Sequence, residues 1–188
     1  MLISKFDTAG IEEKLTALQA RYELVLPEEY HAFLRKYNGG ETPETTFCLA
    51  GISSDLRGFF GLGASVEAFA LERRFDHDAL SAFVSKGLFP IGKNVFGDLL
   101  FIRTSGRKPG EILFRYHDQG KKPKKLANSF QDFTAQCISK PLKPCRSIEE
   151  RIAVRRAAGM PDPPPAIVQE WQLEIDRRAR IHQEELSL

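Results

Sequence analysis

The sequence predicts an α+β fold in which a mixed, largely antiparallel twisted sheet is covered by helices. Residues 99–102 form an apolar run without alternation, which is typical of a strand buried on both faces. Turn residues in 104–110 separate this run from a second apolar stretch at 111–116, so we expect the two to pair antiparallel. Two amphipathic helical patterns precede them, and their apolar stripes need a sheet to cover.

Length and composition predict one sizeable core with an extension. The chain has 188 residues, of which 42% are hydrophobic and 14 are Phe, enough for a domain that folds alone. We predict this domain over residues 1–140 and a C-terminal helical extension over 141–188. The sequence shows neither a signal-peptide pattern nor an apolar run of membrane-spanning length, so we expect a cytoplasmic protein.

Charge is distributed unevenly along the chain, although the formal net charge is only +2. Residues 1–100 contain 10 Lys or Arg and 14 Asp or Glu, whereas residues 101–140 contain 9 and 3. This asymmetry predicts one acidic and one basic surface. The three cysteines lack Cys-x-x-Cys spacing, which favours reduced thiols over a disulfide framework or a zinc site.

Helical spacing is clear near the start of the chain. Ile11, Leu15 and Leu18 recur on one face, which predicts a first helix. A second helix is predicted to begin at Pro27, whose fixed φ suits a first turn, and to end at residues 38–40, which tolerate positive φ.

Residues 41–63 are predicted to be extended and rich in loops, with a short strand at 45–50. The Gly-rich segment 58–63 lacks the Lys-Ser/Thr of a P-loop. We therefore interpret it as a tight strand or bulge with two Phe packed inward, rather than as a phosphate cradle. Further helices are predicted from Ser65 and from the acidic pair around residue 77, the latter ending at Gly87.

The remaining elements are predicted from turn and capping residues. We expect a turn at 117–120, a basic stretch at 121–125, a short edge strand at 125–127 and a helix that Ser129 caps. In the extension, Ser147 is predicted to cap a helix over 148–158.

A Pro-rich spacer at 161–165 is predicted to lead into a last helix over 166–186. Ile167, Trp171 and Ile175 share one face of that helix. We expect this face to dock onto the chain's own domain, with a partner as the alternative.

Short motifs along residues 23–139 resemble the Smi/Knr branch of the SUKH superfamily. Each is a helix start, a cap or a strand end, and they follow the family's order. The motifs are LPEEY (26–30) with 33–34, NGG (38–40), FPIG (89–92), GD (97–98), ILF (112–114), HD (117–118) and LANSF (126–130) with residue 133. Residues 141–188 have no counterpart in the basic family domain.

The resemblance implies an α+β domain with no universal active site. Bacterial members are similar to immunity proteins that bind and neutralise polymorphic toxins, often nucleases, while fungal members act as protein-interaction regulators. It therefore implies a non-catalytic protein with a protein partner, such as a toxin domain. We expect neither a cofactor nor a metal. Monomer and homodimer both remain open.

Charge and position indicate a candidate partner-binding surface. Glu41, Glu44 and Asp55 fall in the predicted loop-rich region and have no capping role, so they are candidates to meet a basic toxin surface, with plain solvation as the alternative. Phe59 and Phe60 lie close by in sequence and would supply an apolar anchor if either is exposed.

Two other functions are weighed against protein binding. The basic residues of 101–125 would form a nucleic-acid-binding surface in the second-ranked interpretation, although no nucleic-acid motif accompanies them. An enzyme ranks lower, because the four histidines are scattered over different predicted elements and no nucleophile, base and orienting group occur together. Asp98 and His117 are interpreted as turn residues.

Overall fold

An antiparallel sheet organises the fold in a computed structural model that describes residues 1–118 and 122–188. The described strands are β1 (Leu2–Lys5), β2 (Gly40–Leu49), β3 (Ile52–Phe59), β4 (Leu88–Lys93), β5 (Leu99–Arg103), β6 (Ile112–Arg115), β7 (Lys124–Ala127), β8 (Ile138–Ser139) and β9 (Glu184–Glu185). Their order in the sheet is β7-β6-β5-β4-β3-β2-β1-β9, with β8 paired to β2.

Helices precede, interrupt and follow the strands, which confirms the predicted α+β class. The described helices are α1 (Ile11–Arg21), α2 (Glu28–Tyr37), a 3-10 turn (Glu67–Phe69), α3 (Leu71–Arg74), α4 (His77–Val84), α5 (Phe130–Ala135), α6 (Ile148–Ala157) and α7 (Pro165–Ala179). Met1–Pro141 and Gln183–Leu188 form one compact unit, and Leu142–His182 form a second. No helix within the described ranges is long and apolar enough to cross a membrane.

Strand β5 is the buried interior strand that the apolar run predicts. It pairs antiparallel with β4 on one side and with β6 on the other, and residues 99–102 are at most 9% exposed. Phe89 of β4 contacts Tyr30 of α2, with ring centroids 6.3 Å apart. Phe101, opposite Pro90 and so on the other face, contacts Phe83 of α4 at 4.9 Å. Helices thus cover both faces of the sheet at β4 and β5.

The region predicted to be rich in loops is a long β-hairpin, so the loop prediction is wrong, whereas the short strand predicted at 45–50 is confirmed as part of β2. Strands β2 and β3 pair over most of residues 40–59, and a two-residue turn joins Leu49 to Ile52. Ala50 and Gly51 in this turn have φ of 51° and 74°, as a type I′ turn requires. Because Ala is rare at positive φ, the Ala-Gly pair gives a weaker hairpin signal than Asn-Gly.

The Gly-rich segment is a place of close backbone approach, as the inward-packing interpretation expects. A Cβ on Gly61 would lie 2.2 Å from the carbonyl oxygen of Asn38, so only glycine fits there. Asn38 ends α2 at a φ of 49° and its side chain exchanges hydrogen bonds with the Leu62 backbone at 2.8 and 3.0 Å. This pair of contacts fixes the end of β3 against the end of α2.

Three described helices start at predicted side-chain caps, namely Asp76, Ser129 and Ser147. Asp76 accepts a hydrogen bond from the Ala79 amide at 2.7 Å, and Ser129 accepts one from the Asp132 amide at 3.0 Å. The helix predicted from Ser65 is instead the short 3-10 turn followed by α3. The predicted turn at 117–120 and basic stretch at 121–125 partly cover residues 119–121, which lie outside the described ranges.

The last helix ends earlier than predicted, at Ala179 rather than 186. Residues 184–185 instead form β9, which pairs antiparallel with β1. Ser187 is held by side chains of α2, because Lys36 donates to its carbonyl oxygen at 2.8 Å and its amide donates to the Tyr37 hydroxyl at 3.0 Å. Only two residues of β9 pair, so no alternating pattern long enough to recognise exists in the sequence.

The Leu142–His182 unit is a helical pair built around one arginine. Ser147 and Glu150 form the capping box that starts α6. Arg151 of α6 donates to Glu174 of α7 at 2.9 Å and lies over the Trp171 ring, with its guanidinium carbon 5.5 Å from the centroid. The face predicted to dock therefore packs, at Trp171, against α6.

Trp171 reports on this helical pair, because it is the only tryptophan in the chain. We expect Arg151→Ala to red-shift its emission and to increase iodide quenching, since the variant removes both the cation over the ring and the ion pair to Glu174. A cation–π contact of this kind is worth about 0.5 to 1 kcal/mol. Arg177→Ala, at an exposed position of α7, the helix that carries Trp171, serves as the control. Identical spectra for the two variants would contradict the packing of Trp171 against Arg151.

Candidate partner-binding surface

The predicted acidic residues lie on the β2–β3 hairpin rather than in a loop. Asp55 pairs across the hairpin with Thr46, and Glu41 pairs with Gly58. Between these pairs the register shifts, and Glu44 adopts a φ of 55° and is exposed. A bulge re-aims side chains relative to a regular strand, which explains why Glu44 projects into solvent.

Glu44 and Asp55 line one surface groove of about 270 Å³. Ile138, which is 68% exposed, lies on the same groove and adds an apolar surface beside the carboxylates. Lys140 also lines it, and its backbone amide donates to the Glu44 carbonyl at 3.0 Å. The structure thus brings together two of the three predicted acids, whereas Glu41 is not part of this groove lining.

An exposed apolar tip lies next to Asp55, on the loop between β4 and β5. The Val95 amide donates to Asp55 Oδ2 at 3.1 Å. The side chains at this tip belong to Val95, which is 60% exposed, and Phe96, which is 72% exposed. Gly97 follows with a φ of 89°, which allows the chain to turn back into β5.

A buried carboxylate fixes the base of this tip. Asp98 is 5% exposed; its Oδ1 accepts the His117 backbone amide at 2.9 Å and lies 2.7 Å from His117 Nδ1. Its Oδ2 accepts the Asn94 side-chain amide at 2.9 Å, and that amide also donates to Ser54 Oγ at 3.0 Å. Desolvation acts to raise the pKa of Asp98, but the hydrogen bonds from His117 and Asn94 outweigh it and lower the pKa overall.

The family of this chain is shown by a match over most of the first unit. Residues 11–136, from the start of α1 through α5, match the SMI1/KNR4 family (SUKH-1). The chain belongs to this family. A search of curated proteins finds no matching relative. Members of the SMI1/KNR4 family are generally non-catalytic immunity or regulatory domains, and the second unit lies outside the matched residues.

The two phenylalanines predicted as anchors of this SUKH-1 domain are buried, so they cannot serve as exposed anchors. Phe59 is fully buried and contacts Phe33 and Phe130 at 5.1 and 5.3 Å between ring centroids. Phe60 is 2% exposed and contacts Phe75 at 5.5 Å. Phe59 is the last residue of β3 and Phe60 follows it, so their side chains point in opposite directions. Both are buried because Phe59 meets α2 and α5, whereas Phe60 meets Phe75 at the end of α3.

Phe96 is the exposed aromatic that sequence analysis missed. Its signal is a large apolar residue inside a turn, between Asn94 and the Gly97-Asp98 pair. Sequence patterns predict turns at such positions but do not show whether the apolar side chain folds back onto the core. The structure shows that the side chain does not fold back: Val95 and Phe96 are exposed, whereas Asn94 and Asp98 beside them are buried.

The basic region of the SUKH-1 domain is partly neutralised by one carboxylate. Glu111 is 8% exposed and pairs with Lys125 at 2.8 Å, Arg103 at 3.2 Å and Lys108 at 4.0 Å. The hydrogen bond from Lys125 lowers the pKa of Glu111 below its usual range. Three cations of the predicted nucleic-acid surface are thus already paired.

The histidines do not converge. His77 lies 3.3 Å from the Tyr22 hydroxyl, while His117 belongs to the Asp98 network. Across residues 1–118 and 122–188, no three His, Cys, Asp or Glu side chains come together as metal ligands. Asp98 and His117, interpreted from sequence as turn residues, do hold a turn in place.

Proposed function

We propose that this SUKH-1 domain is a non-catalytic protein-binding module that binds and neutralises a cognate bacterial toxin domain, with nucleases as the favoured class. Its site would comprise Glu44, Asp55, Val95, Phe96 and Ile138, which we call the tip-and-groove surface. The observation that carries this proposal is the exposed Phe96 beside the groove that Glu44 and Asp55 line. Aromatic residues beside charged groups are typical of binding hot spots.

Rigidity supports this assignment. Asp98 holds the loop base through three protein contacts, and Asp55 holds the Val95 amide. A side chain presented on a fixed backbone loses little conformational entropy on binding, so more of the contact energy appears as affinity. An exposed phenylalanine on a fixed tip is therefore suited to insert into a pocket of a partner.

Charge supports a basic partner. Nucleases bind polyanions and so present basic clefts, and an inhibitor with acidic groups is attracted to such a cleft from a distance. Glu44 and Asp55 provide these groups in a groove that Arg57 and Lys140 also line, and residues 1–100 carry a net excess of acids. Glu41 remains a candidate contributor to long-range attraction outside the groove.

The test uses a candidate toxin domain, to be sought in the genes immediately upstream of this one. We expect the triple variant Glu41→Lys, Glu44→Lys and Asp55→Lys to slow association about tenfold at low salt, and the difference to shrink as salt rises. Phe96→Ala should instead accelerate dissociation about tenfold, because it removes an apolar contact made only in the complex. Stopped-flow or biolayer interferometry separates the two rates.

A matched triple variant controls for net charge. Glu13→Lys, Glu23→Lys and Asp78→Lys change the charge equally at other exposed positions of the same unit, and should leave association within about twofold. If the first triple variant binds with unchanged rates while neutralising Lys122 and Lys124 abolishes binding, the recognition surface is the basic one. Tight nucleic-acid binding that falls steeply with salt would likewise overturn the proposal.

A further inference from the structure

A cleft of about 320 Å³ lies between α1 and the segment that carries α3 and the start of α4. Its described lining has no residue in common with the tip-and-groove surface. The apolar part of the lining consists of core residues whose edges reach the cleft: Leu18, Leu62, Leu71, Phe75 and Leu80. The volume falls at the lower end of the range found for small-molecule sites.

The carboxylates at the mouth of the cleft are already engaged. Both oxygens of Glu72 accept the Gly63 amide at 3.0 Å, and Asp76 caps α4 by accepting the Ala79 amide at 2.7 Å. Each carboxylate is therefore stabilised by backbone donors, and Asp76 additionally by the helix dipole of α4.

The cations at the mouth have weaker partners. Lys14 Nζ donates to the neutral Ala9 carbonyl at 3.1 Å, and the Arg21 guanidinium lies over the Tyr22 ring with its carbon 5.6 Å from the centroid. Neither cation has a carboxylate within 4.0 Å among the ion pairs of the described residues. Their seven-residue spacing places them on one face of α1, about 10 Å apart along its axis.

We propose that this cleft binds a small organic anion with an apolar body, such as an aromatic or branched-chain carboxylate. The apolar body would lie on Leu18, Leu71 and Phe75, and the anionic group would reach Lys14 or Arg21 at the mouth. Tyr22 and His77, whose rings are 5.3 Å apart, also line the cleft and would offer polar atoms to orient the ligand. This site is independent of toxin binding.

The test uses 8-anilinonaphthalene-1-sulfonate, an aromatic anion whose fluorescence rises in an apolar site. The full-length protein should bind it saturably, and binding should weaken as sodium chloride is added because the cations are exposed to solvent. The double variant Lys14→Gln and Arg21→Gln should weaken binding about tenfold, since charge-assisted contacts are lost. Excess benzoate should compete.

A steric pair of variants locates the probe. Ala17 lines the cleft and Ala20 does not, although both are exposed on α1. Ala17→Phe should abolish binding while Ala20→Phe preserves it, with circular dichroism showing that both are folded. Absence of saturable binding to the natural protein, or equal affinity for all these variants, would overturn the proposal. Loss of binding in Phe96→Ala instead would also overturn it, by placing the probe on the tip-and-groove surface.

Discussion

Phe101→Ala is expected to lower the free energy of unfolding by about 3 to 5 kcal/mol, as large-to-small substitutions of buried aromatic residues do. Phe101 is fully buried at the middle of β5, opposite Pro90 and Leu113 on the flanking strands, and its ring contacts Phe83. The alanine would leave a cavity that helices on one face and neighbouring strands cannot readily fill. For a domain with about 5 to 15 kcal/mol of stability, the change is severe.

The same substitution at Phe96 provides the control. Phe96 is 72% exposed, so Phe96→Ala should change stability by no more than about 0.5 kcal/mol. Urea unfolding followed by circular dichroism measures the stability of both variants. The dependence of the unfolding free energy on urea concentration should be equal among the proteins before their midpoints are compared. Equal midpoints for Phe101→Ala and the natural protein would refute the interior position of β5.

Asp98→Asn is expected to cost about 2 to 3 kcal/mol at neutral pH, the effect of removing a buried charged acceptor. The asparagine preserves the shape of the side chain. Its NH2 group, however, would face an N–H of Asn94 or His117 that now donates to the carboxylate. Asp118→Asn, at an exposed neighbouring carboxylate, is the matched control and should be nearly neutral.

The pH dependence of this difference follows from the direction of the pKa shift. The folded protein lowers the pKa of Asp98 below its ordinary value near 4. The stabilisation is therefore fully present above about pH 4 and is lost as pH falls through the lower, folded pKa. Urea unfolding from pH 7 to pH 2.5 should show the natural protein converging with Asp98→Asn only below about pH 4. A constant difference across that range would show that the carboxylate charge is not the stabilising feature.

The central part of the sheet could be predicted from sequence because its signals are local and redundant. The uninterrupted run in β5 and the turn before β6 are each sufficient to suggest a strand, and both elements are present. The caps at Asp76, Ser129 and Ser147 are likewise local, since each side chain bonds an amide three residues away. An element can be predicted from the sequence where its formation depends only on its own residues and their near neighbours.

Pairing over long distances was not predictable in the same way. Strand β3 contains consecutive polar residues, Ser53, Ser54 and Asp55, so periodicity gives little strand signal. Strand β1 is four residues long and pairs with segments near residues 40 and 184. Such short strands form because a partner is present, and the partner cannot be inferred from the strand itself.

The candidate site was predictable in its charge but not in its anchor. Glu44 and Asp55 were identified from charge asymmetry, and their binding role stays a prediction. Phe96 escaped identification because exposure depends on how the chain closes around Asn94 and Asp98. The family motif Gly97-Asp98 marks this position as a turn, and its consequence for the preceding side chain becomes visible only in three dimensions.

The chain returns to the sheet at β9, so the helical pair lies between two segments of the first unit. Lys140 donates its amide to the Glu44 carbonyl at 3.0 Å, and Gln183 donates its side-chain amide to the neighbouring Pro43 carbonyl at 3.5 Å. The two junctions of Leu142–His182 therefore lie close together on β2, the arrangement at which inserted domains are tolerated. Replacing residues 142–182 by a short glycine–serine linker would remove the helical pair and keep β9. Ending the chain at residue 141 would remove the edge strand β9 as well. We therefore expect that another segment could replace residues 142–182 while the backbone at residues 140 and 183 keeps its position on β2.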